Sequence, residues 1–275
     1  MDEERRPAAE EKTFGLLGRA GQGLEITTRD DQYDFTAFLD AAKVARRSGG
    51  RVRLVDSGRF SAFELEWLAE AGADVFTSDE ARSNGADLDL LAKACSRGDS
   101  AIAFFQRGAL TENEAGDAYS WNFLRGIGRD GLDVHLSSRE RERDLAELAE
   151  TAYVCKKAGS RLVYYHHGPL AAGLESVARA GGWIHFPDEA FDDAGSENLL
   201  GDVIRAASAA GAGVVLHLER AHPVETLRDS LSAGAYLLFG TLPSDRGLPF
   251  GALERQARKR PLDRRAYYLY LDFLP

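Results

Sequence analysis

Short β-branched or aromatic runs alternate with longer amphipathic stretches from residue 24 to residue 240, and a glycine stands at almost every return to the next run. The runs are Leu24–Thr28, Val52–Asp56, Val75–Ser78, Ala101–Gln106, Leu132–Ser137, Leu162–His166, Trp183–Phe186, Gly213–Glu219 and Ala235–Gly240. Between them, stretches such as Phe35–Arg47 repeat apolar residues at helical spacing. Phe35, Phe38, Leu39, Ala42 and Ala45 recur along one side, with Asp40, Lys43 and Arg46 elsewhere on the turn. Gly49, Gly72, Gly98, Gly159, Gly181, Gly211 and Gly234 stand where these helices should end, because a helix C-cap often needs the left-handed conformation. Such alternation predicts a parallel sheet covered by helices. A right-handed series of eight or nine units predicts an α/β chain of the (β/α) barrel, TIM-barrel-like class. A closed barrel of that type has eight strands. With nine candidates, either Leu24–Thr28 or Ala235–Gly240 lies outside the ring, or the sheet departs from the standard barrel.

The chain also reads as two quasi-repeated halves, about 23–110 and 131–220. Gly23-Leu24-Glu25-Ile26 opens one and Gly131-Leu132-Asp133-Val134 the other. Arg51-Val52-Arg53-Leu54 runs parallel to Arg161-Leu162-Val163-Tyr164. Ser78-Asp79-Glu80-Ala81 matches Pro187-Asp188-Glu189-Ala190, a likeness beyond what packing alone requires. The expected organisation is a disordered tail over 1–13, one barrel domain over 14–263 and an aromatic C-terminal tail over 264–275. Residues 110–128 read as a helix between the halves.

Composition excludes several classes. With 275 residues, 44% of them apolar, the chain is long enough for a full core and too apolar for disorder. Its apolar runs are far too short to span a membrane, and the charged start shows no secretory signal, so a cytoplasmic protein is expected. The two cysteines, Cys95 and Cys155, fall inside helical patterns, which argues against a disulfide framework or a zinc knuckle. A net charge of −10 disfavours nucleic acid, although Arg255 to Arg265 form a basic stretch beside Tyr267, Tyr268 and Tyr270. That stretch and the tail suit a second copy of the chain or a protein partner better.

In a parallel barrel the loops at the carboxyl ends of the strands converge, so chemistry is expected there. Those ends carry Asp56, Arg107, His166, His167, Asp188, Glu219 and Arg220, and the loop after the last strand carries Arg246. All six histidines (His135, His166, His167, His185, His217 and His222) lie in the second half. Period-two alternation puts His217 and Glu219 on one face of their strand. Imidazole with carboxylate suits general acid/base work or a divalent metal that activates water. No His-x-His pair or zinc-helix motif names a metal site, so no metal ligand is assigned and the cofactor stays open. His135, His185 and His217 fall mid-strand, where a hydrogen-bonded core role is the plain alternative. The loops Gln106-Arg107-Gly108 and His166-His167-Gly168 each follow a strand and suit an anion. Phosphate-loop, dinucleotide and serine-elbow motifs are absent, and no lysine stands at a strand end.

The sequence therefore predicts a barrel enzyme for a small polar or anionic substrate, a hydrolase or lyase. His166, His167 and Glu219 are the catalytic candidates, and Asp56, Arg107, Asp188, Arg220 and Arg246 the binding ones. A non-catalytic barrel serving as a binding or scaffold subunit is the alternative.

Overall fold

A computed structural model describes residues 14–110, 119–191, 196–220, 222–239 and 253. The expected tails over 1–13 and 264–275, and the loop that carries Arg246, lie outside the described residues. Nine parallel strands alternate with helices, the (β/α) barrel class that the glycine-punctuated rhythm predicts. Both of the doubtful outer runs are real strands, each paired in parallel with its sequence neighbour. The described residues group into two compact units.

The first unit runs through α1 (14–21), β1 (Glu25–Arg29), α2 (Phe35–Ser48), β2 (Arg51–Val55), α3 (Ala62–Glu70), β3 (Asp74–Ser78), α4 (Gly85–Gly98) and β4 (Ile102–Gln106). Local chemistry fixes the helix starts. The Asp34 carboxylate accepts from the Ala37 N–H at the head of α2, and Ser61 with Glu64 closes a capping box at the head of α3. Gly98, expected as a C-cap, is the last residue of α4 instead, and Asp99 takes the left-handed cap with φ 53°. The reason is packing. A Cβ at Gly98 would stand 1.9 Å from the Ala69 carbonyl oxygen, so glycine is required there for the close approach of α4 to α3.

The second unit contains α5 (Trp121–Arg129), β5 (Asp133–Ser137), α6 (Leu145–Ala158), β6 (Leu162–Tyr165), α7 (Leu174–Ala180), β7 (Trp183–Phe186), a 3-10 turn (Asp188–Phe191), α8 (Ser196–Ala209), β8 (Val214–Leu218), α9 (Val224–Ala233) and β9 (Tyr236–Phe239). The expected helix over 110–128 is realised as α5, with 111–118 outside the described residues.

The two faces of these strands differ sharply. One carries Val134, Leu136, Leu162, Tyr164, Ile184, Phe186, Val214, Leu216 and Leu218, all buried and nearly all hydrocarbon. It is the face that the buried helix stripes require: Leu148, Ala152 and Cys155 of α6, Val177 and Ala178 of α7, Val203, Ile204 and Ala207 of α8. The other carries His135, Val163, Tyr165, Trp183, His185, Val215 and His217. At its amino end the Trp183 and Tyr236 rings stack 5.6 Å apart across Gly213, where a Cβ would come within 2.6 Å of both. An aromatic layer floors this second face, and the polar groups stand above it.

Candidate functional site

At the carboxyl ends of β1–β3 the residue after each strand ties the loop of the next strand. Asp30 follows β1, and its carboxylate accepts from the Ser57 N–H at 2.9 Å, the Ser57 hydroxyl at 2.6 Å and the Arg59 N–H at 3.2 Å. Asp79 follows β3 and accepts from the Arg107 N–H at 3.0 Å and the Gly108 N–H at 2.7 Å, both in the loop after β4. Asp56 follows β2 and is wholly buried. It accepts from the Thr77 hydroxyl at 2.7 Å and twice from the Arg82 guanidinium at 2.8 Å. Arg82 also donates to the Phe60 carbonyl, while its own carbonyl accepts from the Tyr119 hydroxyl at 2.6 Å. The loop N–H groups after β4 were expected to suit an anion. They do hold one, and it is the protein's own Asp79.

In the second unit Ser138 follows β5 and ties the loop after β6: its hydroxyl oxygen accepts from the His167 N–H at 2.8 Å. His166 and His167 adjoin in sequence and part in space. His166 turns to the Tyr164 and Phe186 side, with its ring 5.6 Å from that of Phe186. Its Nε2 stands 2.9 Å from the Pro169 carbonyl oxygen and its Nδ1 3.4 Å from the Tyr164 hydroxyl. Burial holds its pKa below the ordinary histidine value, and its Nε2–H donates to the Pro169 carbonyl oxygen. Gly168 has φ 103°, and the turn needs glycine for that angle, since a Cβ there would meet nothing within 4 Å.

The other face of β5–β8 brings together a row of titratable side chains on successive strands. His135 Nδ1 lies 3.2 Å from the Tyr165 hydroxyl, and the two rings stack 5.9 Å apart. The Tyr165 ring lies 4.6 Å from that of His185, directly opposite it in the strand register. His185 Nδ1 lies 2.8 Å from His217 Nε2, with ring centroids 5.0 Å apart. The row climbs toward the carboxyl ends. His135 and His185 are each 1% exposed and His217 is 9% exposed. Two and three residues beyond His217, past the end of β8, Glu219 and Arg220 are exposed. Burial, and then the nearby positive charge of Arg161, pushes the His135 pKa down to about 3, so this ring is neutral at physiological pH.

Of the residues expected to act together, the structure therefore places Glu219 and Arg220 at the carboxyl end of the histidine-bearing strand, and His166 on the opposite, helix-covered side. His167 is half-buried at the end of β6 and tied through its backbone. Arg107 makes an ion pair with Glu80 at 3.2 Å, and Asp56 is engaged by Arg82. Asp188 opens the 3-10 turn, and its side chain, like the whole of Arg246, falls outside the described residues. Tyr165 and Ser138 belong to these clusters and were not singled out from the sequence. The signal for Tyr165 was its parity: it alternates with Tyr164 and so faces away from the helices. Among the described residues no three His, Cys, Asp or Glu side chains form a group that would hold a metal ion, and no helix is long and apolar enough to cross a membrane.

No family model and no curated protein matches the chain. Solved structures similar to it include a 3-dehydroquinate dehydratase from Geobacillus kaustophilus, 13% identical with a TM-score of 0.33 over 86% of this chain and 90% of that one. A putative fructose-1,6-biphosphate aldolase from Coccidioides immitis is 14% identical, with a TM-score of 0.36 over 89% and 90%. A deoxyribose phosphate aldolase from Aeropyrum pernix is 11% identical, with a TM-score of 0.33 over 84% and 92%. Likeness at this level says nothing of a reaction.

Proposed function

We propose that this chain is a (β/α) barrel enzyme, a hydrolase or lyase, that moves protons to and from a small polar or anionic substrate at the carboxyl ends of β6–β8. One observation supports this reading above the rest: the 2.8 Å contact between His185 Nδ1 and His217 Nε2, near the carboxyl end of β8. In this reading His217, the outermost imidazole of the row, is the acid/base group, because imidazole titrates near neutral pH. Glu219, at the strand end, shares the proton transfer, and Arg220 meets the anionic part of the substrate. A divalent metal is not required by this reading. His166, its Nε2 given to the Pro169 carbonyl, positions the loop after β6 and leaves the chemistry to the other face.

The test is a thermal-shift and consumption screen with small carboxylated and phosphorylated compounds, with and without added divalent cations. At least one compound is expected to raise the melting temperature and to be consumed. His217→Gln should then lower turnover by about 10²–10⁴-fold, the usual weight of a general acid or base, while the variant still melts cooperatively. Arg220→Ala should weaken binding. A protein that no compound stabilises and that consumes none would instead be the binding or scaffold subunit.

A further inference from the structure

We infer that His185 and His217 hold one added proton in common and act as a single acid/base group. This rests on the reading of His217 as the proton-transfer residue and says what tunes it. A nitrogen-to-nitrogen distance of 2.8 Å is a hydrogen bond, so one ring donates and the other accepts. If His217 Nε2–H donates, its Nδ1 carries a lone pair and serves as a base. If His185 Nδ1–H donates, His217 Nδ1 carries hydrogen and serves as an acid. The same pair thus offers both roles, and the tautomer of one ring sets that of the other.

The proton balance is simple. A proton taken up at His217 Nδ1 makes an imidazolium whose Nε2–H points at the His185 Nδ1 lone pair. The positive charge is then spread over the short N–H···N bond. A second proton would need both facing nitrogens to carry hydrogen at 2.8 Å, and two like charges at that distance in a buried site repel strongly. The pair therefore takes up one proton where two separate histidines would take two, and its titration belongs to the pair.

Several neighbouring groups pack around the two rings. On β6 the Tyr165 ring packs against His185 at 4.6 Å, and its hydroxyl is engaged by His135 on β5. On β9 the residue opposite His217 is Leu238, which brings no charge. Arg161 acts on His135, at the far end of the row. Glu219 and Arg220, just beyond β8, bring charge to its carboxyl end.

Long-range nitrogen NMR of the imidazoles in the full chain, followed from about pH 5.5 to pH 9, tests this directly. The resonances of His185 and His217 are expected to shift together in one step that adds one proton to the pair. In His185→Gln, His217 should then titrate at a pH displaced by one unit or more. In His217→Gln, His185 should lose its partner's shift altogether. Two independent steps in the unmodified protein, or a His217 titration that ignores His185→Gln, would overturn the inference. The unmodified protein alone decides the first point, so a variant that fails to fold leaves the inference still testable. Shared titration in a protein that no compound stabilises would remove the enzyme reading and keep the pair.

Discussion

Replacing Asp56 by alanine is expected to cost about 3–5 kcal/mol of unfolding free energy, the usual penalty for removing one partner of a buried ion pair. The carboxylate is 0% exposed and is gripped by two N–H groups of Arg82 and by the Thr77 hydroxyl. Without it the Arg82 guanidinium stays buried and uncompensated. Guanidinium cannot shed its charge to relieve this, as its pKa lies far above the working range. Arg82 also holds the Phe60 carbonyl, and its own carbonyl holds Tyr119, so the loss would loosen the tips of β2 and β3 together. The double change to apolar residues, Asp56→Leu with Arg82→Leu, should recover much of the loss, since the charge left behind is the costly element. Urea unfolding measures both. A loss under about 1 kcal/mol in Asp56→Ala would mean that the pair is open to water.

Mild acid is expected to weaken the fold through His135. The folded ring is pushed down to about 3 from an ordinary value of 6.5, so the unfolded chain binds the proton first. The associated stability is fully present above about pH 6.5 and drains away as the pH falls toward 3. Linkage sets the loss between pH 6.5 and about pH 4.5 at about 2 kcal/mol. His166 acts in the same direction, because burial lowers its pKa too. His135→Gln keeps a polar group near the Tyr165 hydroxyl and removes the titration. Its unfolding free energy should vary less with pH over that window by about the same 2 kcal/mol. An unchanged slope would show that the ring takes up its proton in the folded protein.

Much of the architecture is legible before any coordinates exist, because it rests on short-range rules. Apolar spacing finds the helices, and a glycine at the left-handed cap marks where one ends, as at Gly159 with φ 84°. Gly98 shows the limit of that rule. Its role is set by Ala69 on another helix, and no local pattern announces a contact of that kind. The site is harder for the same reason. That His166 and His167 end a strand is plain, but which way each faces depends on the pleat of β6 and on Phe186 across the ladder. The partner of Asp56 stands 26 residues away in a loop, and the meeting of Tyr165 with His185 depends on strand register. Period-two alternation predicts His217 and Glu219 on one face, but β8 ends at Leu218 and Glu219 stands in the bend beyond it. Nor does alternation supply the register that sets His185 beside His217.

The proposed proton transfer at His217 requires one thing above all: that a small anionic ligand bind at the carboxyl end of β8. Chemical-shift mapping with the best stabilising compound from the screen tests it most directly. The largest perturbations are expected at His217, Glu219 and Arg220, with His185 following through its hydrogen bond and Asp56 unmoved. Perturbations centred on the Asp56–Arg82 cluster or on the outer helices, with His217 and Glu219 silent, would contradict it.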